Sequence, residues 1–117
     1  MTKASTYPGP AEAARKIPQL TKRIVDQFNP IKIILFGSHA RGDPGIYSDI
    51  DLLVVLDRAE DTREASIEIR RALRGSGVAI DVIATTPAEV EEFGDMAGGI
   101  LRPALREGKV LYARDAK

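Results

Sequence analysis

The chain has 117 residues, of which 44% are hydrophobic and 29% are charged, values ordinary for a globular protein. Seventeen basic residues balance seventeen acidic ones, so the sequence predicts no general affinity for nucleic acid or for an anionic membrane. The lack of cysteine excludes disulfides, zinc–thiolate sites and cysteine nucleophiles. No apolar run is long enough to cross a bilayer, and we expect a cytoplasmic protein.

The length predicts one domain. Residues 1–10, which are rich in proline, are expected to form a loose lead-in, and residues 11–117 the single domain. A helix is predicted up to Phe28, because apolar residues recur there at helical spacing. Within that helix Pro18 must lie in a first turn or mark a break. Asn29 and the proline after it are expected to end the helix.

Two buried strands and a short helix follow. Residues 31–36 form a β-branched run between a proline and a glycine, which is typical of a strand. Residues 38–41 are predicted to form a short helix. Residues 49–56 are apolar on both faces beyond Asp51, which predicts an interior strand covered on both sides.

The second half of the chain alternates helices and strands. Asp61 and Thr86 are each followed three residues later by a glutamate, and both patterns predict a helix start. Between those helices, residues 78–84 read as a third interior strand. A helix over 100–107 and a strand over 109–113 complete the order. We therefore predict an α/β (α+β) fold, a small mixed β-sheet with helices packed on it.

Two aspartates open the second strand. Strand residues two apart point to the same side, so Asp49 and Asp51 are expected to present their carboxylates together. Their repulsion favours a cation between them, and hard oxygen ligands favour Mg²⁺ or Mn²⁺ over zinc. The alternative is that both are solvated loop-end acids, with Asp49 capping a turn after Ser48.

A glycine–serine pair ends the first strand. Backbone N–H groups at such a strand-to-helix turn can hold phosphate, with the Ser38 hydroxyl as a further donor. Alternatively, Gly37 is a turn residue and Ser38 an ordinary helix cap. Arg41 either neutralises phosphate or pairs with Asp43 in solvent. His39, the only histidine, is expected to lie in a surface loop.

Asp81 is the one charged residue of the third strand. An isolated carboxylate in a buried strand needs a partner, which is either a salt bridge or a metal site shared with the second strand. Two metal-holding carboxylates and a third that can take a proton match two-metal phosphoryl or nucleotidyl transfer. The chain has no P-loop, dinucleotide-binding, zinc-protease or serine-hydrolase motif.

The spacing of these residues resembles a known signature. Gly37-Ser38, ten intervening residues and Asp49-Ile50-Asp51 are similar to the pattern of the DNA polymerase beta-like nucleotidyltransferase superfamily. The "ARG" and "SDIDL" segments look most like its minimal nucleotidyltransferase (MNT) branch. The resemblance extends over residues 31–112 and includes Asp81.

The resemblance implies a polymerase beta-like core and a role for each residue. Asp49, Asp51 and Asp81 would be the catalytic carboxylates and the ligands of two Mg²⁺ ions, with Mn²⁺ as an alternative. The third of them would assist deprotonation of the acceptor hydroxyl. Gly37 and Ser38 would hold the triphosphate of ATP or another nucleoside triphosphate, and Arg41 would add to that contact.

The resemblance also implies a partner. Larger members append an acceptor-binding domain for which 117 residues leave no room, so the acceptor surface is expected from a partner or a second copy. Minimal members typically accompany HEPN-domain toxins as antitoxins, and some transfer AMP from ATP to a toxin tyrosine. The alternatives are a non-catalytic antitoxin that neutralises its partner by occlusion, and a stand-alone transferase acting on a small molecule or a nucleic-acid end.

Overall fold

The computed structural model describes residues 9–45, 48–99 and 101–114. In chain order the elements are α1 Pro10–Arg15, α2 Ile17–Phe28, β1 Lys32–Phe36, α3 Ser38–Arg41, β2 Ile50–Val55, α4 Thr62–Ala72, β3 Ile80–Thr85, α5 Pro87–Phe93, α6 Leu101–Glu107 and β4 Lys109–Ala113. Most of the predicted lead-in lies outside the described residues, and Pro10 already belongs to α1. The first residue of the helix predicted over 100–107 lies outside them as well.

The strands form one mixed sheet in the order β3-β2-β1-β4. Strand β1 is antiparallel to β2 and to β4, whereas β2 and β3 are parallel. The predicted fold class is therefore confirmed, and β2 is an interior strand as expected. The prediction that the third strand is interior was wrong, because β3 lies at an edge of the described sheet.

The helix boundaries follow local chemistry. Pro18 lies in the first turn of α2, and the chain breaks before it at Lys16, so the predicted long helix is two helices. Asn29 ends α2 in a left-handed conformation with φ 49°. The carboxylate of Asp61 accepts backbone N–H bonds from the first turn of α4, and the Thr86 hydroxyl does the same for α5. Both predicted caps are confirmed.

The two faces of the sheet are covered unequally. The larger core lies between the sheet and helices α1, α2 and α4, and its buried side chains include Leu20, Ile24, Leu52, Ile69 and Val82. A smaller core under α6 contains Ile34, Leu53, Leu101 and Ala104. Because strand side chains alternate, Asp51 and Asp81 project to the same face as Leu53, the one that α6 covers. The predicted site residues therefore lie on the less covered face.

The third strand begins two residues later than predicted. It starts at Ile80, which lies opposite Ile50, the first residue of β2. The N–H of Ile50 donates to the carbonyl of Ala79 at 2.9 Å, and the ladder begins there. The start of β3 is thus determined by the start of β2 and not by its own apolar run. None of the helices in the described part of the chain is long and apolar enough to span a membrane.

Candidate active site

The parallel pairing of β2 and β3 places two of the predicted carboxylates next to each other. Asp51 is in register with Asp81 on one side and with Phe36 of β1 on the other. Neighbouring strands lie about 4.8 Å apart, and residues in register project to the same face. Asp49 comes two residues before Asp51, just before β2 begins. The site is therefore assembled where β1 ends and where β2 and β3 begin.

The environment of Asp51 is electrostatically unfavourable for a carboxylate. Burial raises the pKa of the Asp51 carboxyl above its ordinary value, and the negative charges of Asp81 and Asp49 raise it further. The charges of His39 and Arg41 act in the opposite direction. All three predicted carboxylates thus influence one site, and that site carries excess negative charge that a cation would compensate.

Gly37 connects the glycine–serine turn to this carboxylate. Its backbone has φ 76° and ψ −157°, a combination that essentially only glycine adopts. A Cβ atom at this position would lie 2.2 Å from Oδ2 of Asp51 and 3.1 Å from its Cγ. Both the backbone conformation and the space therefore require glycine here. The two halves of the predicted signature, twelve positions apart in the sequence, are in contact.

Ser38 is the first residue of α3 and not its cap. The N-cap is Gly37, which makes no side-chain cap bond, so the interpretation of Ser38 as an ordinary helix cap was wrong. The carbonyl of Gly37 accepts bonds from the N–H groups of Ala40 at 3.1 Å and Arg41 at 3.0 Å. The N–H groups of Ser38 and His39 belong to the first turn, where a helix offers no acceptor. With the serine hydroxyl, these amides can serve as donors to a phosphate.

Arg41 pairs with Asp43 in solvent, which is one of the two alternatives that the sequence left open. Its Nε lies 3.4 Å from Oδ1 of Asp43, and both side chains are more than half exposed. An exposed pair of this kind is weak, so the guanidinium can exchange its partner for an anionic ligand. Its positive charge also lowers the pKa of the Asp51 carboxyl. Arg41 therefore lies close enough to the carboxylates to affect their charge.

Sequence reasoning missed that His39 lies close to the carboxylates of the site. The prediction of a surface loop was wrong, because His39 lies in α3 and is only partly exposed. Its Nε2 is buried and has no hydrogen-bond partner among the described residues. Its charge lowers the pKa of Asp51. Its place directly after Ser38 on the short helix was the one sequence signal that pointed to the site.

Asp81 forms a salt bridge, which was one of the two partners predicted for its carboxylate. Nη2 of Arg70 lies 3.2 Å from Oδ1 of Asp81, and the same nitrogen donates to the carbonyl of Val82 at 3.4 Å. Both charged side chains are about half exposed. No sequence signal identified Arg70, because the pair depends on how α4 packs beside β3.

The chemistry of the donor set suits a hard divalent cation. Asp49, Asp51 and Asp81 offer carboxylate oxygens, and burial together with the negative charges of Asp81 and Asp49 raises the pKa of the Asp51 carboxyl. However, no group of three acidic, histidine or cysteine side chains in residues 9–45, 48–99 and 101–114 converges closely enough to hold a metal ion as it stands. Holding a cation with all three carboxylates therefore requires at least one side chain to turn.

Comparisons with known proteins agree with this geometry. The family described as nucleotidyltransferase domain matches residues 17–110. A solved protein from Sulfolobus solfataricus, described as a candidate nucleotidyltransferase, is 22% identical with a TM-score of 0.60, over 97% of this chain and 93% of that chain. At that identity the likeness shows the fold alone. No curated protein matches the chain. The family match spans most of the sequence and includes every site residue named above, and the chain belongs to the nucleotidyltransferase domain family.

Proposed function

We propose that this protein transfers a nucleoside monophosphate, AMP from ATP, to a hydroxyl group on another protein in the cytoplasm, where ATP is available. One observation carries the proposal: Gly37 lies against Asp51, and the charges of Asp49 and Asp81 act on the same carboxyl. A phosphate-binding turn and a group of carboxylates thus meet at one end of the sheet. Nucleotidyl transfer needs this combination, because a triphosphate has to be held beside cation-binding oxygens.

Each residue has a defined role in the proposed reaction. Ser38, with the first amides of α3, would hold the triphosphate, and Arg41 would contribute positive charge. Asp49, Asp51 and Asp81 would hold Mg²⁺, or Mn²⁺ in its place, with two ions as in two-metal sites. When bound, such cations neutralise the triphosphate and make its α-phosphorus more electrophilic.

The bond changes are those of an in-line displacement. The acceptor oxygen forms a bond to the α-phosphorus, the bond from that phosphorus to the bridging oxygen of the β-phosphate breaks, and pyrophosphate leaves. The proton of the acceptor hydroxyl passes to the carboxylate of Asp81. Asp81 is suited to this role because its side chain is about half exposed and lies in register beside Asp51.

The acceptor is proposed to be a tyrosine of a HEPN-domain toxin, which makes this protein an antitoxin. Support comes from the resemblance of the "ARG" and "SDIDL" segments to minimal nucleotidyltransferases. The test uses ATP labelled on the α-phosphate, Mg²⁺ and the HEPN-domain protein that we expect to be encoded beside this one. We expect label on the toxin, and at least a hundredfold less with the Asp49→Asn/Asp51→Asn variant.

Asp95→Asn is the matched control. Asp95 is exposed in the segment after α5, and its replacement should leave transfer unchanged. No transfer by the wild-type protein, or equal transfer by the double variant, would refute the proposed reaction. If the double variant still rescues growth against the toxin, neutralisation by occlusion explains the biology better than catalysis does.

A further inference from the structure

We propose that the Arg70–Asp81 ion pair is autoinhibitory: Arg70 competes with the divalent cation for the Asp81 carboxylate. The proposal depends on the function proposed above, since it concerns the same carboxylates. It assigns a role to Arg70, which neither the sequence pattern nor the family match identifies. In the metal-free protein Arg70 provides the positive charge that the cation provides later.

The geometry of the pair is unusual because its two partners start from opposite faces of the sheet. Helix α4 packs on the larger core, where Ile69 and Leu73 are buried. Asp81 projects to the other face, beside Asp51, because strand side chains alternate. The arginine side chain therefore passes around the exposed edge of β3 to reach the carboxylate.

That edge supports the guanidinium independently of Asp81. The carbonyl of Val82 accepts a bond from Nη2 of Arg70 at 3.4 Å. Two residues further along, the N–H of Ala84 donates to Oγ of Ser66 at 2.8 Å, so α4 covers the strand edge with a second side chain. If Asp81 turns away, Arg70 keeps its carbonyl partner and gains water. The exchange therefore breaks one bond of a half-exposed pair.

The strength of the pair suits reversible competition. Ion pairs this exposed change an equilibrium constant by about fivefold at most. A divalent cation bound by carboxylates can displace such a pair, whereas a fully buried pair would resist it.

The test measures binding of Mn²⁺ alone to the full chain, from the loss of the electron paramagnetic resonance signal of free Mn²⁺. Arg70→Met should lower the Kd for Mn²⁺ two- to fivefold relative to Arg71→Met. Arg71 is the adjacent exposed residue of α4, so its variant removes the same charge without removing the ion pair. Arg70→Gln, which removes the charge and keeps a polar side chain, should behave like Arg70→Met.

A second measurement shows whether Arg70 acts through Asp81. In an Asp81→Asn background the effect of Arg70→Met on Mn²⁺ binding should disappear, because the contested carboxylate is absent. An effect of full size in that background would overturn the proposal. So would equal affinity in the Arg70 and Arg71 variants, or weaker binding in Arg70→Met, which would make Arg70 an orienting partner of Asp81 instead.

The outcomes separate this inference from the proposed function. If neither the wild-type protein nor any variant binds Mn²⁺, the proposed metal site is wrong, and the proposed competition between Arg70 and the cation is wrong as well. If the wild-type protein binds Mn²⁺ and Arg70→Met binds no more tightly than Arg71→Met, only the competition is wrong. Binding that is detectable in Arg70→Met and not in Arg71→Met would be the strongest support.

Discussion

Replacing Gly37 by alanine tests the contact that assembles the site. The backbone conformation at Gly37 costs a residue with a Cβ about 1–3 kcal/mol. The new Cβ would also lie 2.2 Å from Oδ2 of Asp51, so the carboxylate must rotate, and an off-rotamer side chain costs about 0.5–1.5 kcal/mol. The sum is a loss of roughly 2–4 kcal/mol in the free energy of unfolding. For a chain of this size that corresponds to a Tm decrease of roughly 8–16 °C.

Gly42 provides the matched control. It is the C-cap of α3 with φ 86°, but a Cβ there would meet no atom within 4 Å. Gly42→Ala should therefore cost only the left-handed backbone conformation, about 1–2 kcal/mol. Nucleotidyl transfer should fall by about a hundredfold in Gly37→Ala, because a displacement of about 1 Å at a reacting group has that effect. In Gly42→Ala it should remain close to the wild-type rate.

A double-mutant cycle isolates the contact from the backbone term. Asp51→Gly removes all three Asp51 atoms that a Cβ on residue 37 would meet. In that background Gly37→Ala should lower the free energy of unfolding only by its backbone cost. The difference from its effect in the wild-type protein is a coupling free energy of about 1 kcal/mol. Thermal unfolding of the four proteins measures it. Zero coupling, together with equal Tm losses for the Gly37 and Gly42 variants, would refute the argument that the turn and the carboxylate are in contact.

Three further predictions follow from the charges and bonds described. Asp51→Asn should unfold at a higher temperature than the wild-type protein at pH 7. Because the folded-state pKa of Asp51 is raised, the wild-type protein loses stability as pH rises from the ordinary aspartate pKa through the raised one, and the two proteins should converge below that window; equal Tm values at every pH would contradict this. Mn²⁺ should raise the Tm of the wild-type protein and not that of Asp49→Asn/Asp51→Asn, since only a native state with both carboxylates binds it; equal shifts would place the cation elsewhere. Glu89→Ala should lose about 1–3 kcal/mol on chemical denaturation, because its carboxylate accepts bonds from two threonine hydroxyls, one in α4 and one in β3; the exposed Glu92→Ala should change stability by about 0.5 kcal/mol or less.

The sequence could predict the centre of the site because local rules determine it. A strand period of two places Asp49 and Asp51 on one side. The antiparallel register that pairs Phe36 with Asp51 brings the following Gly37 beside the carboxylate. The spacing in the sequence therefore predicts the contact between Gly37 and Asp51 once one further assumption is made, that the two strands are neighbours.

The position of β3 could not be predicted for a physical reason. Its apolar residues indicate that both faces of the strand are covered. The structure agrees, because α4 covers one face and the smaller core covers the other. Whether a strand has a neighbour depends on its N–H and C=O groups, which every sequence shares. At this edge those groups are covered by Ser66 and Arg70. The Arg70–Asp81 pair was missed for the same reason, because Arg70 can reach Asp81 only where no further strand pairs with β3.

The energetic costs at the site argue against the alternative that Asp51 is merely a solvated loop-end acid, whereas Asp49 is exposed just before β2. A solvated acid has no reason for a raised pKa, yet the carboxyl of Asp51 has one, caused first by burial and then by two like charges. Gly37, whose conformation essentially only glycine adopts, lies directly against Asp51. Burial and charge repulsion at Asp51 lower the stability of the protein without a cation, and a cation at the carboxylates offsets the repulsion. Unfavourable local terms that a ligand relieves are expected at a binding site. At Mn²⁺ concentrations far above the Kd, the stabilisation of the wild-type protein by Mn²⁺ should therefore be at least as large as the gain from Asp51→Asn at the same pH.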